Sequence, residues 1–526
     1  MKHGDWNTIG TVLKMNAVNY PDKTGWADSA RSLTFREWNE RACRFANAMS
    51  SIGSGHSARV AIISYNRGEW MDIYAGAAKG GQIVVPILFR HKAETVEYII
   101  KHSEATTVIV EEPFIEMINS IRDRLPVNCR NYICIGSGKQ HEGYIDFESF
   151  LSGAETNEPE VKVESSAVWT FIYTSGTTGT PKGVVRTHES YMAEYYNDII
   201  NMAVLPSDRC LLVMPMCHVN SIFYGFPYTL VSAPVYIYSS KSFDPVDLLK
   251  TIQDNRITFT SLVPTHYKII LDLPDEVKRS FDVSNIRQLL ISSAPASRRL
   301  KNEIIEYFKG ADLWEAYGTT EGGLVTLLRP EDQFRKAGSI GREIFGIDRI
   351  KILNENRDEL PEGETGEIWY RTPMMFRCYW KDREKTDKAF MGEYSSAGDM
   401  GYRDSDGFYY LVDRKANMII TGGENVYPHE IEKVIAEIDC VSDVAVIGVP
   451  DSKWGEKIMA VIVLNSGCNE RDAEHEILHA CKQKLAGFMK PRELKFIADE
   501  DMPRNGTGKI LHRELRERFG KWSDCR

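Results

Sequence analysis

Between residues 34 and 86 the chain changes its hydrophobic period three times. Thr34-Phe35-Arg36-Glu37 is a capping box, a hydroxyl residue followed three places later by Glu, and it predicts a helix running through Met49. Residues 59–64, Arg-Val-Ala-Ile-Ile-Ser, are short and β-branched and read as a strand. Residues 69–79 return to a helical pattern, and residues 82–86, Gln-Ile-Val-Val-Pro, to a strand. Strand, helix and strand within about thirty residues make a βαβ unit, which implies a parallel sheet. Residues 108–110 and 132–134 continue the alternation, and residues 210–214 and 288–292 are strands of the same kind further along.

After about residue 340 the pattern becomes antiparallel in type, with strands at 349–353 and 366–371 separated by the turn residues Pro361-Glu362-Gly363. A strand over 407–414 follows. Beyond it comes a compact stretch of helices near 428–438 and 470–485 and strands near 444–449 and 460–464. A domain boundary at Asp413-Arg414 divides the chain into residues 1–413 and 414–526.

Composition narrows the function. A chain of 526 residues exceeds what one hydrophobic core usually supports. The 64 basic against 74 acidic residues give a net charge of -10, without a basic arm, which argues against nucleic acid as a partner. The apolar runs at 60–63 and 459–464 fall far short of the roughly 18 residues a membrane span needs, and the start lacks a signal-peptide core. A cytoplasmic protein without an integral membrane segment is expected. The 10 cysteines include no C-x-x-C pair and read as reduced thiols.

The candidate chemistry begins at residues 173–183, Y-T-S-G-T-T-G-T-P-K-G. Thr174, Ser175, Thr177, Thr178 and Thr180 offer hydroxyls, Gly176 and Gly179 let backbone approach a ligand, and Lys182 supplies a charge. Such a loop suits a polyphosphate. It is not a Walker A loop, because the spacing and the residue after the lysine are wrong. Alone, it would read as a flexible turn. Further stretches accompany it: Tyr317-Gly318-Thr319-Thr320-Glu321, Gly366-Glu367-Ile368, Ser396-Ala397-Gly398-Asp399, Asp413-Arg414 with Gly422-Gly423-Glu424-Asn425, and Pro503-Arg504-Asn505-Gly506-Thr507-Gly508-Lys509. Together they resemble, in order over residues 173–509, the signature motifs of the adenylate-forming superfamily, in its acyl-CoA synthetase branch.

The resemblance implies an α/β fold. A large N-terminal domain holds parallel-rich sheets, helices and a small β-barrel-like subdomain, and a small, mobile α+β C-terminal lid follows. It implies an AMP-forming ligase that joins a small-molecule carboxylic acid to coenzyme A, using ATP and Mg²⁺. By resemblance, Thr174 to Lys182 hold the β- and γ-phosphates, Thr320 the α-phosphate, and Glu321 the metal, a role an oxygen donor suits. Ser293, Ala294 and Pro295 surround adenine with Tyr317 as stacking face, beside Gly318 and Thr319. Asp399 takes the ribose hydroxyls and Arg414 a second nucleotide contact. Lys509 bridges carboxylate and phosphate, and rotation about 413–417 withdraws it and brings Gly422, Gly423 and Glu424 to the second substrate. Relatives usually carry Asp or Lys where this chain has Ala416.

Met214-Pro215-Met216-Cys217-His218 matches the motif that gates the acid site, at His218. Val219 replaces the Asp that pairs an amino-acid ammonium in relatives, and a buried ammonium without a partner is costly. Ser221, Val263, Pro264, Thr265 and Ser292 complete an uncharged pocket, so an acid neutral beyond its carboxylate is expected. A freestanding enzyme loading a separate carrier protein is the alternative, and a non-catalytic relative a third reading. His475-Glu476-Ile477-Leu478-His479 spells a zincin pattern but reads as an amphipathic lid helix with Ile477, Leu478 and Cys481 on its buried face. Oligomeric state is silent, a homodimer being the one assembly considered.

Overall fold

The computed structural model describes residues 7–174, 180–294, 296–451, 453–504 and 510–520. These pack as two compact units, one drawn from residues 1–349 and 370–395, the other from 350–369 and 396–526.

The first unit contains two large sheets. In the eight-stranded sheet, Val168–Thr174, Ile83–Pro86, Arg59–Ile63, Thr107–Glu111, Asn131–Ile135 and Ile145–Asp146 pair in parallel. Lys182–Thr187 and Cys378–Tyr379 extend it antiparallel at one edge. The nine-stranded sheet runs parallel through Cys210–Leu212, Phe259–Leu262, Gln288–Ile291 and Asp312–Thr319, then turns antiparallel at Gly323–Leu328. The βαβ reading of residues 59–86 is therefore correct, with Arg59–Ile63 and Ile83–Pro86 parallel neighbours flanking the helix Glu69–Gly80.

Alternation along each strand divides the apolar residues between two cores. Val60 and Ile62 face the central core, whereas Ala61 and Ile63 join the outer one with Val96, Ile99 and Ile118. In the other sheet, Cys210 and Leu212 face the same central core while Leu211 joins Leu248, Leu289 and Ile304. The central core, with Trp38, Trp70, Trp169 and Phe226, thus receives side chains from both sheets and the helices between them. Each such buried side chain contributes about 1.5–3 kcal/mol or more. The helix Phe35–Ser51 starts as its capping box requires: Glu37 N donates to the Thr34 hydroxyl at 3.3 Å, and the Glu37 carboxylate accepts Thr34 N at 2.8 Å.

The second unit holds a four-stranded antiparallel sheet, Lys351–Leu353, Gly366–Trp369, Asp399–Arg403 and Tyr409–Arg414. It also holds a five-stranded sheet built on the long hairpin Val441–Asp451 and Gly455–Leu464. Val444 and Val446 pack on the helices Pro428–Ala436 and Glu470–Lys484, and Ala445, Ile447 and Val449 on Leu515. On Glu470–Lys484 the buried stripe is Ala473, Ile477 and Cys481, spaced four residues apart. Leu478, expected on that face, is exposed, because one step further round the helix turns it away from the stripe. Among the described residues no helix is long and apolar enough to cross a membrane.

Candidate active site

Strand Val168–Thr174 carries the chain into the glycine-rich stretch and Lys182–Thr187 carries it out, with Thr174 opposite Lys182 in the ladder. Ser175, Gly176, Thr177, Thr178 and Gly179 lie outside the described residues, as do Pro295 and Lys509. Thr180 is exposed, and the Thr174 hydroxyl is buried with no hydrogen-bond partner among the described residues.

Lys182 meets Glu321. Its Nζ lies 2.8 Å from the Glu321 carboxylate and donates to the Tyr379 hydroxyl at 2.6 Å; that hydroxyl donates to Glu321 at 2.8 Å. Glu321 is buried and Lys182 half-buried. A cation, a carboxylate and a phenol in a setting shielded from water interact more strongly than on a surface.

The turn that presents Glu321 is held on several sides. It follows strand Asp312–Thr319 and precedes Gly323–Leu328. Thr319 Oγ1 accepts Gly322 N at 2.8 Å and lies 2.7 Å from the Tyr370 hydroxyl. The Glu321 carbonyl accepts Phe376 N at 2.7 Å. Gly318 is required here, since a Cβ on it would lie 2.5 Å from the Gly323 carbonyl oxygen. Gly323 adopts φ +73°, and the Glu194 carboxylate fills the place its side chain would take. Thr320 is buried, as is Tyr317, which stands opposite Thr326. Ser293 is exposed at φ +69°, a left-handed conformation that a serine adopts at a cost, and Ala294 beside it is half-buried.

The acid-site residues cluster at the ends of neighbouring strands. His218 caps the helix Val219–Leu230, its Nδ1 accepting Asn220 N at 3.4 Å; burial lowers its pKa to about 4, so the ring is a neutral acceptor. Val219 is buried, and the buried Ser221 donates to the Met214 carbonyl at 2.7 Å. Ser292 accepts Asn220 Nδ2 at 2.7 Å, and Asn220 also donates to Ser261 at 3.1 Å. Val263 is buried, Pro264 begins the helix Pro264–Leu271, and Thr265 is exposed on it. A small apolar cavity lies beside Ser221, lined also by Met71, Leu212, Met216, Ile222 and Phe226.

In the second unit, Asp399 and Arg414 face each other across the ladder, with Arg414 Nε donating to Asp399 at 3.0 Å. Gly422 and Gly423, at φ +60° and +86°, form the two-residue turn between Ile419–Thr421 and Glu424–Val426. Both central residues at positive φ make it the type I′ turn that glycine favours. Gly422 N donates to the Trp454 carbonyl at 2.8 Å, and Glu424 is exposed. On either side of residues 505–509, Arg504 and Ile510 pair as an antiparallel bridge.

No sequence motif marks Tyr379, Tyr370, Arg186 or Asn220. Tyr379 stands 58 residues from Glu321 and 197 from Lys182, so no local pattern marks it. The available signal is chemical, since a buried phenol needs a polar partner.

Comparison with known proteins adds to this geometry. A family model described as AMP-binding enzyme matches residues 13–380, and one described as AMP-binding enzyme C-terminal domain matches residues 430–509. The long-chain-fatty-acid–CoA ligase FadD13 of Mycobacterium tuberculosis is 33% identical over 97% of this chain and 98% of its own. A feruloyl-CoA synthase of Amycolatopsis sp is 30% identical over 97% and 99%. The crystal structure of the anthranilate CoA ligase AuaEII in complex with anthranoyl-AMP superposes with a TM-score of 0.88 at 26% identity, covering 97% of both chains.

Proposed function

The chain belongs to the AMP-binding enzyme family, and on that premise we propose that it is an acid:CoA ligase that first forms an acyl-adenylate and then a thioester. A free carboxylate is a poor acyl donor because oxide is a poor leaving group; attack on the α-phosphate of ATP replaces it with AMP. The observation that carries this reading is Lys182, Glu321 and Tyr379 meeting where the strand Lys182–Thr187 begins. Charge builds on the phosphates in the transition state, and a cation aimed there lowers the barrier. Lys182 supplies it, and the Thr320 hydroxyl donates beside it. Glu321 suits a hard cation, being a buried carboxylate with oxygen donors to offer. A magnesium ion held there would supply further positive charge to the phosphates.

Asp399 and Arg414 take the ribose side of the nucleotide, and Tyr317, Ser293 and Ala294 the adenine side. His218, Val219, Ser221, Val263, Pro264, Thr265 and Ser292 receive the acid. Val219 and Val263 are buried and apolar, and burial keeps His218 neutral, which supports an acid whose only charge is its carboxylate. Lys509 acts in adenylation from the lid formed by residues 414–526, which pivots at 413–417 and then offers Gly422, Gly423 and Glu424 to coenzyme A. The relatives above are named as CoA ligases or a CoA synthase, and this favours coenzyme A over a carrier protein.

Incubation with MgATP, an acid panel and either coenzyme A or a phosphopantetheinylated carrier, with AMP and thioester quantified, tests the proposal. AMP formed in step with an acyl-CoA supports it; thioester on the carrier alone would transfer the reading to a freestanding loading enzyme.

A further inference from the structure

Arg186 is among the most deeply buried charges in the first unit, fully removed from solvent on strand Lys182–Thr187. Its guanidinium donates to the Thr320 carbonyl at 3.3 Å, the Met374 carbonyl at 2.8 Å, and the Ser190 carbonyl and hydroxyl at 3.3 and 3.4 Å. Its faces are covered by the rings of Tyr191 and Phe223, 4.5 and 4.8 Å from the guanidinium carbon. A buried cation without compensation is costly, and Glu194, fully buried one turn along the same helix from Ser190, supplies the nearby carboxylate.

The partners of Arg186 belong to three separate segments. Ser190 is in the helix His188–Met202, Thr320 in the turn that presents Glu321, and Met374 two residues before Phe376, whose N–H returns to the Glu321 carbonyl. Glu194 closes the far end of the turn by accepting Leu324 N at 2.8 Å. Lys182 and Arg186, four residues apart on one strand, project to the same face. One therefore grips the Glu321 carboxylate and the other the carbonyl of the residue before it. Only a planar fork with five donors reaches three carbonyls at once; a lysine ammonium does not offer that geometry.

We propose that Arg186, backed by Glu194, is the positioning residue for the Thr320–Glu321 turn: it fixes the Thr320 carbonyl so that the Thr320 hydroxyl and Glu321 carboxylate stand in register with Lys182. This rests on the roles given above to Thr320 and Glu321. Arg186 touches no reacting atom, and its effect is confined to the adenylating half-reaction.

The test uses the full chain with Arg186→Met and Arg186→Lys. Acid-dependent ATP–pyrophosphate exchange, thioester formation from synthetic acyl-adenylate, and calorimetric binding of α,β-methylene-ATP with magnesium are measured beside the melting temperature. For folded Arg186→Met, exchange falls about a hundredfold, the scale of a small misplacement of catalytic groups. Nucleotide binding weakens, while the KM for acid and thioester formation from adenylate stay within about threefold. Arg186→Lys, retaining charge but not the fork, loses about tenfold in exchange with the same split, and carries the test alone if the methionine variant does not fold. Wild-type exchange in a folded variant, or equal loss in both half-reactions, overturns the proposal. Absence of exchange in the wild-type protein would instead remove the functional reading on which it stands.

Discussion

Tyr379 shows how one hydroxyl can set the behaviour of two charged neighbours. It accepts from Lys182 and donates to Glu321, so it orients both without carrying charge itself. Tyr379→Phe retains the ring packed against Phe376 and removes these bonds. Adenylation should fall about tenfold, the scale of one charge-assisted hydrogen bond, with little change in melting temperature. Pyrophosphate exchange checks this, and an unchanged rate would show the hydroxyl to be idle.

His188 is a second residue with a measurable signature. Its ring stacks on Trp169 at 5.3 Å, and neither nitrogen has a hydrogen-bond partner among the described residues. Burial, with a smaller contribution from His56, lowers its pKa from 6.5 to about 3. The unfolded chain therefore takes the proton first, so the stability His188 contributes is complete above about pH 6.5 and is lost as pH falls toward 3. Asp72 and Glu194, raised by burial to about 7, act in the opposite sense, so comparison with His188→Phe is needed to isolate it. Thermal unfolding at a series of pH values should show the wild type losing up to about 1.4 kcal/mol per pH unit more than the variant below 6.5. Lys182 and Glu321 were legible in the chain because they sit in named short motifs. Tyr379 and Arg186 were not, because their roles arise only when segments far apart in sequence meet.

At the scale of elements, hydrophobic period located the helices at 35–49, 69–79, 428–438 and 470–485 and the strands named with them, but left unread others such as the helices Val219–Leu230 and Arg298–Tyr307 and the strands Phe259–Leu262 and Asp312–Thr319. Two departures among the located elements have local causes. The strand expected over 210–214 ends at Leu212, because the Asn66 amide takes the carbonyls of Val213 and Met214 at 3.1 and 3.0 Å. A side chain 147 residues away cannot be read from strand propensity. Leu478 was assigned to a buried face from its hydrophobicity, although the helix needs only Ala473, Ile477 and Cys481 there. The Gly422-Gly423 turn offers a prediction at this scale. A Cβ at Gly423 meets nothing within 4 Å among the described residues, so the cost of Gly423→Ala is that of the left-handed backbone, about 1–2 kcal/mol. Thioester formation from preformed adenylate should suffer while pyrophosphate exchange is spared. Assay of the two half-reactions separately decides it, and equal loss in both would remove the turn from the thioester step.

For the whole molecule, the change from parallel to antiparallel patterning was legible: the two large sheets of the first unit pair mostly in parallel and the sheets of the second unit mostly antiparallel. The packing that joins residues 350–369 and 396–413 to the C-terminal unit was not, because it depends on long-range ladders such as Asp399 opposite Arg414. The proposed motion of the lid is tested through Lys509. Lys509→Ala should nearly abolish adenylate formation and largely keep thioester formation from preformed adenylate; parallel loss of both would contradict the role given to it. The most direct measurement of the central claim is ATP–pyrophosphate exchange without coenzyme A, across aryl, short branched and medium-chain acids, for wild type and Glu321→Gln. Exchange that depends on one class of acid and vanishes in Glu321→Gln is the predicted result. A folded wild type that exchanges with no acid, or a Glu321→Gln variant that exchanges as well as the wild type, would contradict it.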